Sequence, residues 1–445
     1  MKSNLPVYAR EFMKDLPWRT RLYCRFMFVL ADILGFWRRP KKLDPDPVNW
    51  PKGPLPPYWF YKSKKHILLP EKGSHLDTYF KSHQERTGPF LPADFNEEKR
   101  ARLSSVGDLM NASGTENSEG KFYANVSDLI FGADVSIANL ESTLTSSEVQ
   151  ETTFTADETP TINATPEQYN ALKGHDGRQY TFFHTANNHI LDCGMEGFET
   201  THDVIEADGF HYVGTNRKPE DYKKGRITTS NGIKFGFVAA SYGLNCRPYP
   251  DGKEWLVNRV AFHKQKGKVD LSLLEEQIKW CQSEGCDFIV ASLHWGLEHE
   301  LYPHSEQLDT AHSLIESGAD AILGHHTHNI QPYEFYQTQR DPDRIAPIIY
   351  GQGNLASIMS SPFNALSLIV NIEIVKGHHN GKEKTLIKDL TIIPVIQLEK
   401  KLGNKFYLQL HRLKDLLDWE DKELKSYTAK AARYADLALG RNWRK

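Results

Sequence analysis

The segment "ILGHHTHNI" (residues 322–330) carries three histidines in four positions, directly after a short apolar run. Imidazole nitrogens are common metal ligands, and they also serve as general acids and bases. A chance cluster of loop histidines is the alternative explanation. A metal site would need further donors from other parts of the sequence, so the presence of such donors distinguishes a metal site from a chance cluster.

Other polar side chains stand where predicted strands end. The segments "SSVGDLM", "IANLES", "HTANNHILD", "VASLHWGLE" and "ILGHHTH" each offer a carboxylate, a carboxamide or an imidazole just after an apolar run. The candidates are Asp108, Glu141, Asn188, His189, Asp192, His294, Glu298, His326 and His328. In open α/β sheets, ligands bind beyond the carboxyl ends of the strands. The pattern therefore predicts one shared site.

The donor types indicate the chemistry of that site. Carboxylate and carboxamide oxygens with imidazole nitrogens suit Mn, Fe or Zn, and the absence of a thiolate disfavours a structural zinc knuckle. A bridging carboxylate can hold two ions roughly 3.5–4 Å apart, which lowers the pKa of bound water and clamps an oxyanion. We therefore predict one or two divalent ions. The remaining candidates are interpreted as packing or surface histidines: His299, His304, His312, His378 and His379.

The elements that position these residues form an alternating pattern between about residues 102 and 397, which favours an α/β domain. Strands are predicted at 133–140, 179–186, 287–293, 319–324, 346–351 and 365–375, and helices at 196–207, 272–285 and 305–318. We divide the chain into a basic N-terminal helix with a Pro-rich arm (1–100), the α/β domain (101–400) and a C-terminal helical extension (401–445), with helix expected over 405–439.

Charge is distributed unevenly although the net charge is only −3. Residues 1–42 hold ten Lys or Arg against three Asp or Glu, and residues 400–445 hold twelve against six. The central body is therefore acidic, which argues against nucleic acid as its partner. The five cysteines are odd in number and lack metal-knuckle spacing, which favours a reducing, cytoplasmic location.

One apolar stretch near the N-terminus bears on membrane contact. "LYCRFMFVLADILGFW" (22–37) is interrupted by Arg25 and Asp32 and is too short to span a bilayer. Two interpretations stay open: the segment packs on the body of the protein, or residues 1–42 form a peripheral membrane contact as an amphipathic helix.

The ordered motifs resemble a known family. The series "GDLM … ANLES … TANNHILDCGMEGFETT … GTN … HWGLEHE … LIESGADAILGHHTHNIQPYE … IIYGQGNLAS" is similar to the CapA family of poly-γ-glutamate capsule-synthesis proteins, part of the calcineurin-like metallophosphoesterase superfamily. The resemblance covers residues 106–394. It implies a four-layer α/β/β/α sandwich of the metallophosphoesterase type, here with N-terminal and C-terminal extensions, and a metal centre at one sheet edge.

The resemblance also implies roles. The implied metal ligands are Asp108, Glu141 as the bridging carboxylate, Asn188, His294, His326 and His328. His189 is the implied catalytic acid, and Glu298 of the "HWGxE" pattern completes the catalytic set beside the ligands. The superfamily usually opens with Asp-x-His, but Leu109 and Met110 follow Asp108 here, so one metal position lacks an imidazole.

The expected function is a metal-dependent hydrolase or acyl-transfer enzyme acting on an anionic polymer, peptide or phosphoester substrate, with poly-γ-glutamate implied by the resemblance. Three alternatives stay open: a phosphoesterase, a metal-assisted peptide epimerase, and a metal-stabilised scaffold of capsule assembly without turnover.

Overall fold

The computed structural model describes residues 73–86, 90–146, 161–245, 247–262, 268–419 and 421–445, with isolated positions at 18, 19, 22, 26, 70 and 88. Apart from four isolated positions, the predicted basic helix and membrane contact of residues 1–42 lie outside the described residues, as does most of the Pro-rich arm. Among the helices that are described, none is both long enough and apolar enough to cross a bilayer.

The described elements alternate along the chain. The helices are α1 (Leu76–Gln84), α2 (Ser127–Phe131), α3 (Pro166–Leu172), α4 (Gly194–Ala207), α5 (Ser272–Ser283), α6 (Ser305–Ser317) and α7 (Lys422–Leu439). The strands are β1 (Asn96–Leu109), β2 (Val135–Leu140), β3 (Thr143–Leu144), β4 (Asn163–Ala164), β5 (Gly174–His175), β6 (Arg178–Gln179), β7 (Phe182–His184), β8 (His211–Val213), β9 (Arg226–Ser230), β10 (Ile233–Ser241), β11 (Phe288–His294), β12 (Ala321–His325), β13 (Tyr333–Gln337), β14 (Ile345–Ile349), β15 (Asn354–Ala356), β16 (Leu366–His379), β17 (Lys382–Leu402) and β18 (Lys405–Arg412).

Two mixed sheets organise the chain. The first has the order β18-β17-β16-β1-β2-β7-β8, and β15 pairs with the end of β1. Its β1, β2, β7 and β8 run parallel, whereas β16, β17 and β18 are antiparallel. The second has the order β13-β14-β12-β11-β10-β9, with β10, β11, β12 and β14 parallel. The protein is thus mixed α/β, with a central mixed sheet and a second sheet.

The main core lies between the two sheets. Phe182 of β7 and Phe237 of β10 meet there, with ring centroids 4.4 Å apart, inside one buried cluster that includes side chains from both sheets. A second cluster joins the first sheet to α2 and α3, and a third joins the second sheet to α1, α5 and α6. The apolar faces of both sheets are therefore covered, as burial of nonpolar area requires.

This core yields a stability prediction. We expect Phe237→Ala to lower the free energy of unfolding by about 3–5 kcal/mol, because the fully buried ring leaves a cavity between two sheets that cannot close. Chemical denaturation monitored by circular dichroism measures the change. Leu437→Ala is the control, since that side chain is 42% exposed and should cost little. A loss for Phe237→Ala as small as the control's would contradict the packing described here.

The predicted strands and helices of the α/β region correspond to β2, β7, β11, β12, β14, β16, α4, α5 and α6, within a few residues at their ends. The C-terminal prediction is wrong in part. Lys405–Arg412 forms a strand, because its buried Leu408 and Leu410 alternate with more exposed residues and pair with β17. In the described part of this region, the α-helix is confined to α7 (Lys422–Leu439). Its Ala431 and Ala435 belong to the buried cluster between the sheets.

Candidate metal centre

Strand ends from both sheets bring the candidate ligands to one place. Asp108 lies near the end of β1, and Glu141 directly follows β2, which runs parallel to β1. In the second sheet, His294 ends β11 and is the register partner of His325 at the end of β12. Because parallel strands end at the same edge of a sheet, side chains far apart in the chain meet there.

Three overlapping groups of donors form at this edge, and within each group one ligand atom per residue lies within 4.8 Å of the others. The groups are Glu141 with His294 and His326, Asp108 with Glu141 and His328, and Glu298 with His326 and His328. Glu141 belongs to two of them, as a bridging carboxylate would. These His, Glu and Asp residues, all buried except Glu298, can hold a metal.

Asn188 adds a fourth donor to the first group. Its Oδ1 is 2.8 Å from His294 Nε2, and the same nitrogen is 3.4 Å from Glu141 Oε1. A carboxamide oxygen, an imidazole nitrogen and a carboxylate oxygen therefore converge on one point. This mixture of donors suits a borderline divalent ion.

The turn that carries the histidine pair has an unusual backbone. His326 and His328 have φ angles of 84° and 53°, in the left-handed region that non-glycine residues rarely adopt. Gly324 lies just before this turn. A Cβ at Gly324 would lie 2.0 Å from Tyr350 O, so the backbone leaves no room for a side chain. Non-glycine residues in the left-handed region cluster at functional sites, where the surrounding structure holds them in place.

Two atoms of the centre favour a cation. Glu141 Oε1 and His326 Nδ1 are buried and have no hydrogen-bond partner among the described residues. Leaving such groups unpaired costs roughly 1–3 kcal/mol each. Metal ligation would satisfy both, so the residues present fit a divalent ion.

The protonation states fit the same interpretation. Burial, and then the neighbouring His326, hold the pKa of His294 well below its usual value, and burial lowers the pKa of His326 to about 3. Both rings are therefore neutral, as ligands must be. Burial opposes ionisation of Asp108, but hydrogen bonds and charge from His325 and His328 hold its pKa well below the usual range.

Glu141 and His328 show the opposite direction. Burial and the Asp108 charge raise the pKa of Glu141 well above its usual value. Burial lowers the pKa of His328, but Glu141, Asp108 and Glu298 outweigh it and raise the pKa to about 10. Because the charge of Glu141 is the largest cause of the raised pKa of His328, this pair of residues holds at least one proton at neutral pH unless a cation is bound.

This predicts that metal binding releases protons. The raised pKa values mean that protons compete with the ion at Glu141 and His328, so we expect the affinity for Mn²⁺ to increase as the pH rises from about 6 to 8. Calorimetric titration in buffers of different ionisation enthalpy counts the released protons. An affinity that falls with pH, or no proton release, would contradict the assignment.

His189 lies beside this group of donors but is held differently. Its Nδ1 is 2.7 Å from Asp192 Oδ2, an oxygen that also accepts the backbone N–H of Ile162 at 2.7 Å. Its Nε2 faces Glu141, 4.0 Å from Oε1. With the proton on Nδ1 facing Asp192, Nε2 can accept a hydrogen bond from Asn245 Nδ2, which lies 3.4 Å away.

Glu298 lies at the outer side of the centre. Its side chain is 26% exposed, whereas those of Asp108, Glu141 and His294 are fully buried. One of its carboxylate oxygens lies within 4.8 Å of a ring nitrogen of His326 and of His328, so it borders these donors as well as the solvent. The structure thus places every predicted site residue around one point.

Sequence reasoning did not assign the residues that orient the ligands. Asn139 Nδ2 lies 2.8 Å from Asp108 Oδ1 and 3.2 Å from His294 Nδ1. His325 Nδ1 lies 3.1 Å from Asp108 Oδ1, and Asn354 Oδ1 lies 2.9 Å from His328 Nδ1. Asn139 could have been found by its spacing, because in a strand it shares a face with Glu141 two residues later.

Of the histidines interpreted as packing or surface residues, His299 borders the centre. Its ring centroid is 5.9 Å from that of His328, and its Nδ1 is 3.1 Å from Asn364 Nδ2. His304 pairs with Glu300, His312 with Glu334, His378 with Glu98 and His379 with Asp94. These four bond to carboxylates outside the three donor groups.

Comparison with known proteins gives the following matches. The family model described as "Bacterial capsule synthesis protein PGA_cap" matches residues 102–359. The capsule biosynthesis protein CapA of Bacillus anthracis is 24% identical over 266 residues, which is 57% of this chain and 60% of that protein. The PGA biosynthesis protein CapA of Bacillus subtilis (strain 168) is 27% identical over 164 residues, 35% of this chain and 39% of that protein. The crystal structure of a hypothetical protein from Thermus thermophilus aligns with a TM-score of 0.37 and 15% identity, covering 66% of this chain and 98% of that one.

The matched range, residues 102–359, covers more than half of the sequence. It includes Asp108, Glu141, Asn188, His189, His294, Glu298, His326 and His328. The chain covers less than two thirds of the length of the two curated relatives. On the extent of the model match, the chain belongs to the bacterial capsule synthesis protein PGA_cap family.

Proposed function

We propose that this chain is a metal-dependent hydrolase or acyl-transfer enzyme that acts on an anionic or peptide-like substrate in poly-γ-glutamate capsule synthesis. One observation carries the proposal: the three overlapping donor groups lie beside a histidine that is not needed as a ligand and is backed by a carboxylate. A histidine held in this way beside metal donors is the arrangement that general acid–base catalysis requires.

Asp108, Glu141, Asn188, His294, His326 and His328 would hold the ions. When bound, a divalent ion supplies Lewis acidity toward a carbonyl or phosphoryl oxygen and lowers the pKa of water. The chain contributes the proton chemistry. Asp192 fixes the His189 ring through Nδ1, and His189 Nε2 then donates a proton to the leaving group or takes one from the nucleophile. The negative Asp192 stabilises the ring while it is charged.

The finer fold assignment is part of the proposal. We propose the four-layer α/β/β/α sandwich of the metallophosphoesterase type. It is supported by the contact of Phe182 with Phe237 between the sheets and by the helices packed on their outer faces. The position of the donors at the strand ends also supports it, since that is where open α/β sheets bind ligands.

The substrate class rests on the relatives and on charge. One relative is named for capsule biosynthesis and another for PGA biosynthesis. A carboxylate-rich polymer carries anionic groups that divalent ions attract, so it fits a centre of this kind. A phosphoester is also anionic and is the principal alternative. Epimerisation and a scaffold role without turnover are further outcomes of the test below.

The experiment measures metal content and turnover together. Purified protein is analysed for Mn, Fe and Zn, stripped with a chelator, reloaded, and assayed on γ-glutamyl oligomers and on an aryl phosphate. Metal-dependent cleavage or transfer of the γ-glutamyl bond supports the proposal. Phosphate release alone indicates a phosphoesterase, and an inverted α-carbon without change of mass indicates an epimerase. Bound metal without turnover on any of these substrates would leave the scaffold role.

The cytoplasmic location and the membrane contact of residues 1–42 are proposals from composition alone. Pelleting of the full chain with anionic vesicles, compared with a chain lacking residues 1–42, separates membrane binding from packing on the body. Equal pelleting of both would argue against the membrane contact.

A further inference from the structure

The two donor groups that share Glu141 differ in their number of donors. The group of Glu141, His294 and His326 gains a fourth donor from Asn188, whereas the group of Asp108, Glu141 and His328 has three. The positions after Asp108 cannot supply another, because Leu109 and Met110 are apolar or thioether side chains packed in the core. A second ion therefore needs a donor from another segment.

The backbone holds Glu298 next to the histidine turn. His299 N donates to Thr327 O at 2.8 Å, so the segment around Glu298 is bonded to the residue between the two ligand histidines. Gly296 has a φ of 84°, and a Cβ at this position would lie 2.9 Å from Thr327 Cγ2. The two loops thus pack closely enough that only glycine fits at their contact.

This packing fixes where the carboxylate goes. One oxygen of Glu298 and one nitrogen each from His326 and His328 lie within 4.8 Å of one another, the spacing of the groups that contain Asp108 and Glu141. The charge balance of the proposed centre also favours a third carboxylate ligand. Asp108 and Glu141 supply two negative charges against four positive charges of a divalent pair, and buried charges are costly unless they are compensated. A third carboxylate reduces the excess to one.

We propose that Glu298 is a direct metal ligand, which supplies the donor that the sequence lacks after Asp108, rather than an acid or base in the reaction. The proposal rests on the metal centre put forward above and specifies how its second ion is held. It assigns proton transfer to His189 alone, and it places Glu298 on the solvent side of the ion that His328 binds.

The test is a Mn²⁺ titration of the metal-free, full-length chain, followed by calorimetry and by electron paramagnetic resonance, which distinguishes a coupled pair from a single ion. We expect the unaltered chain to bind two ions. Glu298→Gln should keep the first and weaken the second by more than about 10-fold, since even residues that only orient a ligand cost about 10–100-fold when lost. Glu306→Gln, an exposed carboxylate on α6, is the matched control and should bind as the unaltered chain does.

Unchanged affinity and spectra for Glu298→Gln would overturn the proposal, whatever happens to turnover. If Glu298→Gln does not fold, Glu298→Asp replaces it. That variant keeps the charge but shortens the reach, so weaker binding of the second ion supports the ligand role and unchanged binding rejects it. Failure of the unaltered chain to bind any ion would instead reject the metal centre itself, which separates the two claims.

Discussion

Glu141→Ala should abolish stable metal binding. Glu141 is shared by two donor groups, so its loss removes an oxygen from both ion positions at once. The neighbouring strands cannot move to replace it, because Leu140 and Asn139 before it are fully or nearly fully buried in β2. We expect a loss of affinity well above the roughly 10–100-fold that follows removal of a residue that only orients a ligand. Elemental analysis after gel filtration, and calorimetric titration, measure it.

Glu334→Gln is the matched control for this variant. Glu334 is an equally buried carboxylate in the second sheet, but its oxygens accept hydrogen bonds from Tyr79 and Tyr350 and contact His312, and it belongs to none of the three donor groups. Its replacement should leave metal content unchanged. His378→Ala, an exposed histidine paired with Glu98, should also retain the metal. Retention of full metal content by Glu141→Ala would show that the proposed centre is wrong.

His189→Ala should retain the metal and lose turnover. The His189 Nε2 atom is 4.0 Å from Glu141 and its Nδ1 is bonded to Asp192, so in the proposed mechanism the ring exchanges a proton rather than binding an ion. Removal of a general acid typically costs on the order of 10²–10⁴ in rate. Asn188→Ala should behave differently, because Asn188 Oδ1 lies at the convergence point with His294 Nε2 and its loss should reduce both metal content and turnover.

Asp192→Asn tests the orientation of the same ring. Asparagine keeps the shape but can present an N–H to Nδ1, which favours the wrong tautomer and leaves Nε2 protonated. We expect metal retention, a large drop in kcat, and a double variant with His189→Ala no slower than His189→Ala alone. Loss of metal in His189→Ala would make this histidine a ligand, and full activity would remove it from the mechanism.

The sequence by itself predicted the type of element and the candidate donors. The alternation of apolar runs and amphipathic stretches predicted β11, α6 and β12. This is possible because the spacing of apolar residues along the sequence differs between a strand and a helix. Donors at strand ends could be recognised because each stands at the boundary between an apolar run and a loop. For Lys405–Arg412 the local pattern was misassigned, since strand pairing with β17, a long-range contact, decides its conformation.

The meeting of these donors at one edge depends on long-range tertiary contacts. Asp108 and His325 are separated by 217 positions in the chain, and no local pattern specifies that their side chains lie 3.1 Å apart. The pairing of β1 with β2, and the packing of the first sheet on the second, create that contact. The tertiary structure also supplies the partner of Asn188: His294 lies 106 positions away, whereas His189 meets Asp192 only three positions along the chain. Such distant residues come into contact only because the two sheets pack on each other.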